Sequence, residues 1–182
     1  MVYIALLRGI NVGGNNKIEM KRLKLTFQSL GLSQVVTYIN TGNIIFTDDR
    51  AASKQELADK LEEAIHADFG LSIKVMIRTI DEIRTIMDKL PPDWTNDTTM
   101  KSDVLFLWDE VNNESTLQGL AMNPQVDRIL YVDGAILWSC DRKNTGRSGM
   151  VKIIGTKLYS QVTIRNVNTT RKIYALMQAA QS

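Results

Sequence analysis

The chain has 182 residues, 44% hydrophobic and 23% charged, a balance that supports a folded core and excludes wholesale disorder. Lys and Arg number 22 against 20 Asp and Glu, and the resulting +2 net charge gives no compositional sign of a nucleic-acid-coating protein. One cysteine and one histidine exclude a disulfide framework and a thiolate–imidazole zinc centre, and no apolar run reaches the roughly 18–20 residues of a membrane span. The expectation is a reduced, cytoplasmic chain with no membrane partner, no metal and no cofactor. Its N-terminal stretch, which has no basic leader, reads as a strand.

In chain order, Val2–Leu7 is a short apolar run of the kind found in a central strand. A Gly/Asn-rich loop, Gly9 to Asn16, follows. Asn16 and Glu19 have capping-box spacing, and Met20, Leu23, Phe27 and Leu30 recur at helical spacing up to a stop at Gly31. Val35–Ile39 and Ile44–Thr47 are strand-like and flank Asn40-Thr41-Gly42-Asn43, which predicts a hairpin. Ser53 and Glu56 repeat the capping box ahead of a stripe of Leu57, Leu61, Ile65 and Phe69, closed at Gly70. Ile73–Ile77 is a further strand. The order is βαββαβ, that of the ferredoxin-like plait.

The remainder repeats the order. A short helix from Thr79 stops before Pro91-Pro92, and 93–99 is a polar loop. Val104–Trp108 is a strand and Asn112–Ala121 a helix. Arg128–Val132 and Ala135–Cys140 flank the hairpin signal Asp133-Gly134. Gly149–Ser160 is a helix with Val151, Ile154 and Leu158 on one face, Val162–Arg165 a strand, and Asn168–Ala180 a final helix. The expected fold is α+β, a duplicated ferredoxin-like plait with a connecting helix and a C-terminal helix. Its halves are 1–79 and 101–182, joined through 80–100, and Leu6, Phe46, Leu61 and Leu105 are expected inside.

Three stretches resemble the signature motifs of the bacterial DUF1697 family: Leu7-Arg8-Gly9-Ile10-Asn11-Val12-Gly13-Gly14, Thr37 through Phe46, and Val162 through Thr169, where Val167 stands in place of an expected aromatic. The resemblance runs the length of the chain. It implies the duplicated ferredoxin-like fold and no assigned activity.

Two stretches are candidate sites. The loop after the first strand fails the P-loop pattern, since Asn15 and Asn16 follow Gly14 and no Ser or Thr follows Lys17, and it also fails G-x-G-x-x-G. A turn capped by its asparagines accounts for it, and so does a ligand-contacting loop. In a βαββαβ plait the first and second strands run parallel, which puts this loop and the 40–43 hairpin on one edge. Arg8, Asn11, Asn15, Asn16, Lys17, Asn40, Thr41 and Asn43 would then form a polar pocket for a small polar or anionic ligand. The second stretch, Arg165 to Arg171, presents Arg165 to an anion or is simply a helix cap made by Asn166 or Asn168. His66 falls with Asp59 and Glu62 on a solvated helix face, and nothing orients it toward Cys140 as a nucleophile pair. Binding of a small polar ligand or a partner is the leading reading. The alternatives are an enzyme acting on a phosphorylated or polar metabolite at the same edge, and a nucleic-acid-binding module using the basic patch Lys17, Lys21, Arg22 and Lys24.

Overall fold

A computed structural model describes residues 1–50 and 52–181. The chain divides into two compact units, Met1–Ile83 with Ile173–Ser182, and Arg84–Lys172.

In the first unit, β1 (Val2–Leu7), β2 (Ser33–Tyr38), β3 (Asn43–Thr47) and β4 (Val75–Thr79) form an antiparallel sheet of order β2-β3-β1-β4. Ala5 of the central β1 pairs with Ile44 on one side and Ile77 on the other. The crossovers carry α1 (Met20–Ser29) and α2 (Lys54–Phe69). Tyr3, Ala5 and Leu7 point to one face by strand alternation and meet Leu23 and Phe27 of α1 and Leu57, Leu61 and Ile65 of α2 in one buried cluster. Phe46 stacks on Tyr3 at 5.6 Å and takes the edge of Phe27 at 5.7 Å.

The caps follow the sequence in one helix and not in the other. At α2 the Ser53 hydroxyl accepts from the Glu56 amide while the Glu56 carboxylate takes the Ser53 amide, and Gly70 closes the helix in a left-handed conformation. Before α1 the expected capping box is absent. Asn16 has φ +47 and donates its side-chain amide back to the Gly9 carbonyl, so the helix starts at Met20, with Glu19 as an N-cap that makes no side-chain bond.

The second unit repeats the topology. β5 (Met100–Leu107), β6 (Arg128–Val132), β7 (Ala135–Asp141) and β8 (Val162–Asn166) form an antiparallel sheet of order β6-β7-β5-β8, and the Asp133-Gly134 hairpin joins β6 to β7. Leu6, Phe46, Leu61 and Leu105 are all fully buried. α3 (Ile80–Lys89) precedes the second sheet and α4 (Val167–Ala179) follows it.

The crossovers of this unit correct the reading from sequence. Asn112–Ala121 and Gly149–Ser160 are not α-helices. The β5–β6 link holds 3-10 turns at Asp109–Val111 and Glu114–Gly119, and the β7–β8 link holds them at Arg142–Arg147, Gly149–Gly155 and Lys157–Gln161. The hydroxyls of Thr145, Thr156 and Ser160 each bind the carbonyl three residues back, a local bond that competes with helix propagation. The apolar stripe shifts accordingly. Met150 and Ile153 are buried, whereas Val151 and Ile154, expected to share one helical face, are 48% and 67% exposed.

Candidate functional site

The N-terminal edge assembles as its topology requires. β1 and β2 both run antiparallel to β3, so the loop after β1 and the β2–β3 hairpin share an end of the sheet. Within the loop, Val12 and Asn15 pair around the two left-handed glycines Gly13 and Gly14. Asn11 (φ +53) binds the Asn40 carbonyl at 2.7 Å and exchanges two bonds with the Ile18 backbone at 3.0 and 2.8 Å. Asn43 is fully buried and donates to the Tyr38 carbonyl at 3.1 Å and the Thr41 hydroxyl at 3.3 Å. Gly42 is indispensable here: it has φ +90, and a Cβ would stand 2.7 Å from that of Leu7.

Asn11, Asn16 and Asn43 therefore spend their amides on the protein's own backbone. Arg8 is half-buried beside them, its backbone amide on the Lys74 carbonyl. Exposed polar side chains of this edge whose amide or amine is not tied to the backbone are Asn15, Lys17 and Asn40, while Val12 and the backbone-bonded Asn16 are exposed as well.

Arg165 belongs to the other unit and is buried. Its guanidinium donates to the Thr163 hydroxyl at 3.0 Å and to the Ile164 carbonyl at 2.8 Å, and burial lowers its pKa to about 10. Asn166 accepts the Thr169 amide at 2.9 Å, and Arg171 binds the carbonyls of Trp94 and Pro91. The stretch caps α4 and ties down the 91–94 segment. His66 is exposed in the first unit, while Cys140 is buried in the second, where burial pushes its thiol up.

The second unit also contains a cleft of about 460 Å³, which the sequence did not announce. Its floor is the sheet face carrying Lys101, Asp103, Trp138 and Ile164, and its cover is the chain of 3-10 turns, from which Met150, Ile153, Ile154 and Tyr159 reach it. The corresponding link of the first unit is the four-turn α2, whose apolar stripe closes over its sheet. Short turns in place of that helix leave the space open.

The polar groups of the cleft are ordered. Lys101 lies 3.0 Å from Asp103 and 5.7 Å from the centre of the Trp138 ring. The indole N–H of Trp138 donates to Asp127, a buried carboxylate that also accepts from the Ser148 hydroxyl and the amides of Asn123 and Gly149. Burial pushes this carboxyl up, but the hydrogen bonds outweigh it and hold the pKa below its ordinary value. At the mouth, Arg142 donates from Nε to the Asp97 carbonyl at 3.0 Å and from Nη2 to the Asn96 side-chain oxygen at 3.1 Å. Lys101 and Asp103 share a face because β5 starts at Met100, four residues before the strand expected from Val104. Arg142 and Ile154 gave no sign of the cleft in the sequence, because only the turns bring them to it.

The profile of DUF1697, a protein of unknown function, matches residues 1–138. The chain belongs to the DUF1697 family. It is also similar to a solved structure, the conserved bacterial protein SP0830 from Streptococcus pneumoniae. That match has 29% identity and a TM-score of 0.82, over 97% of this chain and 98% of the other. No curated protein matches the chain. The DUF1697 match takes in the whole N-terminal edge and ends inside β7 at Trp138, so Arg142 and the turns over the cleft lie beyond it. No helix among the described residues is long and apolar enough to cross a membrane.

Proposed function

We propose that this chain is a small-molecule-binding protein whose site is the cleft of the second unit. The observation that carries the reading is the cleft itself. At about 460 Å³ it falls within the roughly 300–1,000 Å³ typical of metabolite sites, and it combines an apolar wall with a few fixed polar groups. The N-terminal edge supports the reading less well, because Asn11, Asn16 and Asn43 are engaged by backbone. A reducing cytoplasm suits a chain whose single cysteine is a buried free thiol.

A thermal-shift screen of polar and amphipathic metabolites tests it, run in parallel on the parent and on Ile154→Glu. Ile154 is largely exposed, so the variant should melt like the parent. A ligand at about 100 times its Kd adds about 2.7 kcal/mol to the parent's stability. That gain should vanish in the variant. A ligand that stabilises both equally, or that is lost with Lys17→Ala and Asn40→Ala instead, places the site elsewhere.

A further inference from the structure

The charges in the cleft narrow the chemistry of its occupant, given the reading of the cleft as the site. Lys101 and Asp103 face each other at 3.0 Å and largely cancel. Arg142 remains. Its guanidinium is held by neutral oxygens, the carbonyls of Asp97 and Met100 and the side-chain oxygen of Asn96. These bonds use Nε and Nη2, and among the described residues no carboxylate pairs with this arginine. Nη1 takes part in none of these bonds, and Arg142 lines the cleft. The cleft also has an apolar wall on the turns, with Met150 and Ile153 buried and Ile154 67% exposed.

The geometry points to a small amphipathic monoanion as the ligand, a carboxylate seated at Arg142 with an aliphatic or aromatic body along Met150, Ile153 and Ile154. A positioned guanidinium forms strong charge-assisted bonds to carboxylate oxygens. A single uncompensated positive charge matches a single negative one more closely than it matches the two charges of a phosphate dianion. The apolar wall gains by covering Ile154, and the cleft volume suits a molecule rather than a peptide chain.

Three probes share one body and differ in the head group: 4-phenylbutyrate, 4-phenylbutanol and 4-phenylbutylamine. Each is titrated into the full chain and followed by amide and Trp138 indole shifts in ¹H–¹⁵N spectra. The acid should bind roughly tenfold or more tighter than the alcohol, the size of one charge-assisted hydrogen bond, and the amine should bind weakest. Arg142→Gln should bring the acid to the alcohol's affinity and leave the alcohol unchanged, and Arg142→Lys should restore part of the difference. Melting curves confirm that both variants fold, and if Arg142→Gln unfolds, the Arg142→Lys comparison decides. Equal binding of acid and alcohol by the parent, or a preference for the amine, overturns the monoanion while leaving the cleft as a site. Shifts by none of the three at cleft residues, at concentrations up to their solubility, overturn the cleft and the monoanion together.

Discussion

At the scale of the residue, two positions stand out, Gly42 and Asp127. Gly42 combines a left-handed backbone with a Cβ position 2.7 Å from the Leu7 Cβ and 3.0 Å from the Ile10 Cδ1. Gly42→Ala should therefore cost about 2–4 kcal/mol in denaturant unfolding, from strain and overpacking together. Asp127 collects four donors from three separate segments around the Trp138 indole. Its folded pKa is depressed, so its contribution is fully present above the unfolded value of about 3.9 and is lost as pH falls through the lower folded value. Asp127→Asn keeps an acceptor for one pair of donors and turns an amide toward the other. It should cost about 2–4 kcal/mol at neutral pH and flatten the decline of stability below about pH 4, read by tryptophan fluorescence. An acid limb as steep as the parent's would mean that other carboxylates dominate it.

At the scale of the element, the two units differ most in the link before their last strand. α2 is a continuous helix with a complete capping box and a glycine stop. The 142–161 link is three 3-10 turns pinned at Gly149, where a Cβ would lie 1.9 Å from the Ala121 carbonyl oxygen. The i to i+3 bonds of such turns are poorer than those of an α-helix, and local opening follows the weakest bonds. Amide hydrogen exchange should accordingly be faster through 151–161 than through 57–69. Slower exchange in the turns would show that their packing on the sheet outweighs their hydrogen-bond geometry. A ligand in the cleft should slow exchange in the turns and leave α2 unaffected.

At the scale of the whole molecule, stability rests on burial rather than on ion pairs. Lys74–Glu62 and Arg128–Asp141 are surface pairs, with cationic side chains 74% and 47% exposed, and the net charge is only +2. Such pairs contribute about 0–1 kcal/mol each and are screened by salt. Raising NaCl from about 0.05 to about 0.5 M should move Tm by no more than about 3 °C, as calorimetry would show. A much larger shift would point to a charge network within the fold.

The sequence by itself determined the elements whose signals are local. The strands follow from runs of apolar and β-branched residues, the β2–β3 and β6–β7 hairpins from Asn-Thr-Gly-Asn and Asp-Gly between such runs, and α2 from Ser53, Glu56 and its stripe. Their order alone implied the plait and brought the 9–17 loop to the 40–43 hairpin, where Asn11 meets Asn40. Tertiary structure decided what those groups do. Hydrogen-bond partners are chosen in space, so amides that read as ligand-binding groups became the internal ties of a loop. It also decided the second unit's crossovers, where serine and threonine hydroxyls, Gly149 and the Asp127 anchor overrode an apolar periodicity that suited a helix. The cleft is the consequence. It exists because turns cover a sheet less completely than a helix does, a property of packing that periodicity along one segment does not encode.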